Sequence, residues 1–184
     1  MTNIVVGKDI KNNIDIYLPI EQVFPMKILG ATGQGKTFYI KKFLNNIIGK
    51  FDFRLVLIAP KWSFEYADMS LSNYLITPIN DGKNVLEILN DLLIEKNERL
   101  IEKRSAIPII VIIDECIDII EKYPNVKEKI EQLAVECNKS KIYLIVSSQR
   151  KVPVCDYSLD ISPGTEIHSY NLFSNYLGNR KIKI

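Results

Sequence analysis

The sequence is poor in the residues that build metal centres and disulfide frameworks. It holds one histidine and three cysteines among 184 residues. Cys116, Cys137 and Cys155 stand far apart and are odd in number, which matches no metal-ligand spacing and no disulfide pattern. We therefore predict buried or half-buried thiols in a reducing cytoplasm rather than a redox or metal site.

Long apolar runs and an excess of one charge are also missing. The longest apolar run, Ile107 to Ile113, is far too short to span a bilayer, and the N-terminus lacks the apolar segment of a secretory signal. The formal net charge is +2, so a nucleic-acid contact would need a local basic patch or several subunits pooling theirs. We expect no transmembrane segment and a cytoplasmic location, in the host cell if the protein is viral, with association with virions as an alternative.

Strand-like and helix-like segments alternate along most of the chain, which favours an α/β fold of three layers with a mostly parallel sheet. Helices are predicted over Phe38 to Ile48, Asn84 to Arg104 and Asn125 to Asn138. Asn125 and Glu128 have the spacing of a capping box. Strands are predicted at Val5-Val6, Ile14 to Leu18, Met26 to Leu29, Arg54 to Ala59, Tyr74 to Ile76, Ile109 to Ile113 and Ile142 to Val146.

No linker divides the chain, so we expect a single domain over residues 1–184. Residues 1–20 are predicted to form an N-terminal β-hairpin with a turn at Asn12-Asn13, and residues 21–150 the core. Residues 151–184 form an extension in which the periodicity fades, with one strand predicted near Ile167 to Tyr170.

A glycine-rich segment between the strand at Met26 and the helix at Phe38 has the P-loop pattern of nucleotide-binding proteins. Glycines let the backbone curl so that its N–H groups point at phosphate oxygens, and the helix N-terminus adds partial positive charge. We expect Lys36 to reach the β- and γ-phosphates of ATP and the Thr37 hydroxyl to bind Mg²⁺. The predicted nucleotide-binding residues are Gly30, Ala31, Thr32, Gly33, Gln34, Gly35, Lys36, Thr37 and Phe38.

Two further strand ends carry polar residues that suit hydrolysis. Asp114 and Glu115 follow the most apolar strand, at the edge where open α/β sheets bind ligands. Asp114 would hold Mg²⁺ through water, and Glu115 would act as general base toward the attacking water. Gln149, after the strand at Ile142 to Val146, can hydrogen-bond both the γ-phosphate and that water. A base-reading motif of GTPases is missing, because Asn138-Lys139-Ser140-Lys141 lacks its final aspartate.

The order of these motifs resembles the FtsK/HerA superfamily of DNA-pumping ATPases, and is most like its small viral genome-packaging members. The resemblance covers Val5 to Arg150. Beyond the P-loop and Asp114-Glu115, it is carried by Val6-Gly7-Lys8-Asp9, Leu57-Ile58-Ala59-Pro60-Lys61 and Ser148-Gln149-Arg150. It implies a RecA-like core, a ring that is hexameric or of another size, double-stranded DNA in the central channel, and ATP between subunits.

The resemblance also implies an arginine finger supplied by a neighbouring subunit. Where bacterial relatives place an arginine, this sequence reads Thr165-Glu166-Ile167-His168. The identity of the arginine finger is therefore undecided, and the candidates are Arg150, Arg180, Arg99 and Arg104. The chain also lacks the large N-terminal membrane region and the C-terminal winged helix of chromosome pumps, which suggests a minimal motor.

DNA contact in such a ring needs basic loops that face the channel. The candidates are Lys61, Lys122, Lys127, Lys129 and Lys151, and phosphate contacts of this kind are independent of base sequence. A viral motor would also meet a capsid or portal-vertex protein.

The favoured function is ATP-driven translocation of double-stranded DNA during viral genome packaging. A plasmid or conjugation DNA-transfer ATPase is the alternative from the same superfamily. A small-molecule phosphotransferase would need an arginine-rich lid, and only Arg99 and Arg104 lie close together. A nucleotide-gated adaptor without hydrolysis would not need Lys36, Thr37, Asp114 and Glu115 together.

Overall fold

The structure is a computed structural model that describes residues 2–60, 66, 69, 75–78, 82–102, 106–152, 159–163, 169–174 and 178–183. The strands are β1 (Asn3–Asp9), β2 (Asp15–Pro19), β3 (Met26–Leu29), β4 (Arg54–Ala59), β5 (Leu75–Pro78), β6 (Ile109–Ile113), β7 (Ile142–Ser148), β8 (Leu159–Pro163), β9 (Ser169–Ser174) and β10 (Gly178–Lys183). The helices are α1 (Ile20–Val23), α2 (Lys36–Ile47), α3 (Gly82–Glu102), α4 (Cys116–Lys122), α5 (Val126–Ala134) and α6 (Cys137–Ser140). Several residues of the sequence-based predictions lie outside the described residues: Lys61, Arg104, Cys155 and Thr165 to His168.

All these strands join one ten-stranded sheet in the order β2-β1-β10-β9-β8-β3-β7-β6-β4-β5. Pairing is parallel from β8 through β3, β7, β6 and β4 to β5. It is antiparallel from β2 through β1, β10 and β9 to β8. The predicted α/β class, with a parallel core and an N-terminal hairpin, is confirmed. The register pairs Leu29 with Ser148 and Ile113 with Val146, so β3, β6 and β7 end together at one edge of the sheet.

Helices cover both faces of the parallel strands, which makes the predicted three layers. Side chains alternate across β6, so Ile110 and Ile112 pack on the α2 side while Ile109 and Val111 pack on the α3 side. Each fully buried side chain of this kind stabilises the fold by roughly 1.5–3 kcal/mol. Continuous burial of β6 explains why its sequence is apolar without alternation. None of the described helices is long and apolar enough to cross a membrane.

β9 begins within the strand predicted near Ile167 to Tyr170, whereas β8 and β10 were not predicted. β9 pairs with β8 on one side and with β10 on the other, and β10 also pairs with β1. The sequence of β10, Gly-Asn-Arg-Lys-Ile-Lys, contains few strand-forming residues. Pairing with neighbours on both sides therefore decides its conformation more than intrinsic propensity does.

The predicted helix from Asn125 to Asn138 is two helices, α5 and α6. Val135 is extended, and Glu136 has a φ of +55°, which turns the chain between them. The turn places Cys137 in the core on the α2 side, whereas Leu133 belongs to the core on the α3 side. The predicted capping box is also absent, because Asn125 is already helical and makes no side-chain cap. The first amides of α5 bond instead to backbone carbonyls of the preceding turn.

Candidate functional site

The loop from Gly30 to Gly35 connects β3 to the first turn of α2. Gly33 and Gly35 have φ of +79° and +85°, a left-handed conformation that favours glycine. The Gln34 side chain closes the loop, because its Oε1 accepts the Ala31 N–H at 2.6 Å while the Gln34 N–H donates to the Ala31 carbonyl at 3.2 Å. The Gly30 N–H donates to the Ser148 carbonyl at 3.1 Å, which ties the loop to the end of β7. The local fold is thus a curled loop that leads into a helix N-terminus.

Lys36 is the first residue of α2 and is only 5% exposed. Its Nζ donates to the Gly30 carbonyl at 2.9 Å and to the Ala31 carbonyl at 3.4 Å. The same Nζ lies 3.5 Å from Glu115 Oε1. The ammonium group is therefore held beneath the loop by oxygens from both sides of the site.

Asp114 follows β6 directly, and its side chain is held by hydroxyl groups. Its carboxylate accepts hydrogen bonds from Ser147 Oγ and, at 2.9 Å, from Tyr66 Oη. The Glu115 N–H also donates to Asp114 Oδ1 at 3.1 Å. With 2% exposure, the carboxylate is buried and fixed in orientation. Tyr66 was missed by sequence reasoning, because nothing in its local pattern points to a residue 48 positions later.

Glu115 has a φ of +51°, a conformation that is uncommon outside glycine and that clusters at functional sites. This backbone turn directs its carboxylate between two partners, Lys36 Nζ at 3.5 Å and Gln149 Nε2 at 3.4 Å. The structure thus brings together Lys36, Glu115 and Gln149, the side chains predicted to be catalytic, from three different strand ends.

A cleft of about 340 Å³ opens at this edge of the sheet. It is lined by Thr32, Gly33, Gly35, Lys36, Thr37, Phe38, Lys41 and Glu115. Lys41 was not predicted, although its position one helical turn after Thr37 places both residues on the same face of α2. The remaining loop residues Gly30, Ala31 and Gln34 contribute backbone contacts and the closing hydrogen bonds instead.

These groups fit a nucleoside triphosphate with Mg²⁺. Loop amides and a helix N-terminus suit phosphate oxygens, and Lys36 adds a full positive charge. The hydroxyl of Thr37 and the oriented carboxylate of Asp114 are hard oxygen donors of the kind that Mg²⁺ prefers. A larger cavity of about 650 Å³ lies among Asp9, Lys11, Leu172, Asn179, Arg180 and Lys181, but it contains no curled phosphate-binding loop. Chemistry rather than size therefore identifies the candidate site.

The arginine-finger candidates among the described residues differ in their contacts and exposure. Arg99 is 9% exposed, bonds to Glu95 at 2.6 Å, and donates to the carbonyls of Ser140 and Ile107 just before β7 and β6. It therefore lies near the N-terminal ends of β6 and β7, whereas the cleft lies at the C-terminal ends of the parallel strands. Arg150 pairs with Glu121 at 2.6 Å, and Arg180 lies 3.9 Å from Asp9, with about half or more of each arginine side chain exposed.

The described lysine candidates for DNA contact surround α4, α5 and the end of β7. Lys122 lies over the ring of Tyr123 at 5.2 Å, and Lys127 is 3.8 Å from Glu131. Lys129 is half-buried and Lys151 is exposed.

Comparison with known proteins gives a family match and several structural likenesses. The family model described as "Poxvirus A32 protein" matches residues 17–159. The chain is 24% identical over 178 residues to the DNA translocase FtsK of Halalkalibacterium halodurans, a match that covers 78% of this chain and 22% of that one. This chain thus spans about a fifth of the length of that relative.

Solved structures share the fold at low sequence identity. The pCW3 conjugation coupling protein TcpA matches with a TM-score of 0.78 and 14% identity, over 98% of this chain and 65% of that one. The genome packaging NTPase B204 of Sulfolobus turreted icosahedral virus 2 matches with a TM-score of 0.56 and 15% identity, over 87% of this chain and 96% of that one. The predicted likeness to FtsK/HerA-type ATPases, viral packaging proteins among them, is confirmed.

Proposed function

Because this chain belongs to the Poxvirus A32 protein family, we propose that it is an ATPase that translocates double-stranded DNA and packages a viral genome into a capsid. The observation that carries the proposal is the convergence of Lys36, Glu115 and Gln149 beside the oriented Asp114, at the edge where the phosphate loop lies. A nucleotide-binding protein without hydrolysis needs the loop and Lys36, but it has no use for a carboxylate held within reach of both Lys36 and Gln149.

The roles proposed for the residues follow from these contacts. The loop amides and Lys36 hold the phosphates, and Thr37 and Asp114 hold Mg²⁺, which when bound neutralises charge on the phosphate oxygens. Glu115 accepts a proton from the attacking water, which contributes on the order of 10²–10⁴-fold to the rate. Gln149 orients that water, and its bond to Glu115 at 3.4 Å couples the end of β7 to the state of the base.

Movement of DNA is supported by the family and by the relatives' own descriptions as a DNA translocase and a genome packaging NTPase. We propose a ring, expected to be a hexamer, in which Lys61, Lys122, Lys127, Lys129 and Lys151 provide phosphate contacts. A neighbouring subunit would supply the arginine finger. Of the described candidates, Arg150 and Arg180 suit that role better than Arg99, because their guanidinium groups remain exposed.

Plasmid or conjugative DNA transfer is the second candidate. It is favoured by the likeness to the conjugation coupling protein TcpA, which extends over nearly the whole chain. Both candidates predict a DNA-stimulated ATPase, and they differ in the partner. The packaging function predicts binding to a capsid or portal-vertex protein from the same genome, whereas the transfer function predicts binding to another protein of the DNA-transfer apparatus.

The test measures phosphate release by the assembled protein with and without linear double-stranded DNA, at several salt concentrations. We expect DNA to raise the rate and the effect to weaken steeply as salt rises. Displacement of a protein block from the end of a duplex, dependent on ATP, would report translocation. A rate that DNA leaves unchanged in the assembled ring would overturn the motor function. Transfer of phosphate to a small acceptor would show a phosphotransferase, and binding without turnover would show an adaptor.

A further inference from the structure

Tyr170, in β9, contacts the phosphate loop although it lies 135 positions after Gly35 in the chain. Its Oη donates a hydrogen bond to the Gly35 carbonyl at 3.0 Å, and its side chain is buried. The family match ends at residue 159, and the motif resemblance ends at Arg150, so neither includes this tyrosine.

The hydrogen bond acts on the peptide unit that joins Gly35 to Lys36. The Gly35 carbonyl also accepts the Tyr39 N–H at 2.9 Å, the first hydrogen bond of α2. Because a peptide unit is planar and trans, fixing the direction of this carbonyl directs the Lys36 N–H the opposite way, into the curled loop. The Lys36 N–H is one of the amides at the helix N-terminus that have no partner within the helix. Tyr170 therefore orients an amide that is suited to a phosphate oxygen.

Tyr170 is itself held firmly. Its neighbours across the sheet are Pro163 in β8 and Ile182 in β10, so β9 is paired on both sides at this position. Its ring packs edge-on against Tyr39 with 5.1 Å between ring centres, and Tyr39 Oη donates to the Val6 carbonyl at 2.8 Å. Burial also raises the pKa of Tyr170 to about 12, so its hydroxyl keeps the proton that it donates at neutral pH.

We propose that Tyr170 is a positioning residue for the phosphate loop, through which the antiparallel strands after residue 159 complete the nucleotide site. This inference rests on the proposed binding of nucleotide at Gly30 to Thr37. It assigns the C-terminal strands a part in nucleotide affinity in addition to their part in the sheet.

The test compares Tyr170→Phe with Tyr143→Phe in the full chain. Phe at position 170 keeps the ring that packs on Tyr39 and removes only the donor. Tyr143 is the matched control, because it is a buried tyrosine of β7 that stacks on Phe24 at 4.8 Å. Equilibrium titration with ADP and with ATP is measured with and without Mg²⁺, and the melting temperature is measured on the same samples.

We expect Tyr170→Phe to weaken ADP and ATP binding alike, by roughly three- to tenfold, with or without Mg²⁺, since one hydrogen bond to the loop is lost. Tyr143→Phe should leave both affinities unchanged. Wild-type affinities in Tyr170→Phe, whatever its melting temperature, would overturn the inference and leave the proposed function standing. If the wild-type protein binds no nucleotide, the proposed function fails instead.

A second variant keeps the inference testable if Tyr170→Phe does not fold. Replacing Tyr170 by 3-nitrotyrosine lowers the pKa of the phenol below that of the native side chain, although burial keeps it above the pKa of the free amino acid. Nucleotide affinity should then fall as pH rises through that pKa, because the ionised phenol cannot donate to Gly35, while wild-type affinity stays constant over the same range. Parallel pH profiles of the two proteins would overturn the inference.

Discussion

Lys36 Nζ and Glu115 Oε1 lie 3.5 Å apart, although the two residues are far apart in the chain and follow different strands, β3 and β6. Both side chains are largely buried, so water screens this pair less than it screens an exposed ion pair. The contact joins the phosphate loop to the predicted general base. It therefore links the two proposed functions of the site, nucleotide binding by Lys36 and hydrolysis by Glu115.

Replacing Lys36 by alanine should abolish nucleotide binding. The change removes a buried cation whose charged hydrogen bonds to phosphate contribute roughly 1.5–3 kcal/mol each, so affinity should fall by about 100-fold or more. Titration calorimetry with ATP measures the loss. Lys50→Ala, at an exposed lysine just beyond α2, is the control and should bind as the wild type does. Turnover by Lys36→Ala at the wild-type rate would show that the nucleotide binds elsewhere.

Glu115→Gln should retain ATP binding and lose hydrolysis by roughly 10²–10⁴-fold, because an amide cannot accept the proton of the attacking water. Glutamine keeps the size of the side chain and removes its charge. Single-turnover phosphate release measures the step. Glu131→Gln provides the control, since Glu131 lies on α5 and pairs with Lys127 at 3.8 Å. Normal hydrolysis by Glu115→Gln would place the general base elsewhere.

Ser147→Ala and Tyr66→Phe should each raise the Mg²⁺ concentration required for half-maximal turnover. Each change removes a hydroxyl that donates to the buried carboxylate of Asp114, and an unsatisfied buried acceptor costs about 1–3 kcal/mol. A Mg²⁺ titration of turnover at saturating ATP measures the shift. Ser140→Ala is the matched control, because Ser140 is a buried serine that donates to the Cys137 carbonyl at 3.1 Å. An unchanged Mg²⁺ requirement in both variants would contradict a role for Asp114 in holding the metal.

The parallel core and most of the site could be predicted from sequence because their signals are local. The strand at β6 is apolar throughout, and Asp114 follows it immediately, so one short segment fixes both the strand and the position of the carboxylate. The P-loop is likewise contiguous, and its glycines at positions 33 and 35 adopt the conformations that the pattern requires.

The contacts of Tyr66 and Tyr170 could not be predicted, because each joins residues far apart in the chain. Tyr66 reaches Asp114 and Tyr170 reaches Gly35 only once the sheet has formed. The strand that carries Arg180, β10, contains few strand-forming residues and gains its conformation from its neighbours in the sheet. What sequence reasoning missed is therefore the layer of residues that supports the site.

Arg99→Ala should lower the free energy of unfolding by roughly 2–3 kcal/mol without changing ATP turnover per folded subunit. Arg99 is mostly buried and bonds to Glu95 and to carbonyls before β6 and β7, so its removal takes a donor from the carbonyls of Ser140 and Ile107, while Glu95 keeps Arg54. Urea unfolding measures the loss. Arg54→Ala is the control, because Arg54 shares Glu95 at 3.0 Å but is 57% exposed, and it should cost less than about 1 kcal/mol. A selective loss of turnover with unchanged stability would instead identify Arg99 as the arginine finger.

Gly35→Ala should impair nucleotide binding more than Gly33→Ala does. Both glycines have a left-handed φ, so alanine costs roughly 1–2 kcal/mol of backbone strain at either position. A Cβ at Gly33 would meet no atom within 4 Å, whereas a Cβ at Gly35 would lie 2.9 Å from Tyr170 Oη. That oxygen cannot move away easily, because Tyr170 is buried in a strand paired on both sides.

The double variant Gly35→Ala with Tyr170→Phe separates the cost of backbone strain at position 35 from the cost of the close contact with Tyr170 Oη. Removing the hydroxyl relieves the close contact but leaves the backbone strain, so the double variant should unfold at a higher urea concentration than Gly35→Ala alone. Combining Tyr170→Phe with Gly33→Ala should instead give additive losses of stability, since the Gly33 position does not contact Tyr170. Additive losses in both pairs would show that Tyr170 and Gly35 do not interact in solution, and equal nucleotide affinities for the two glycine variants would contradict the steric argument.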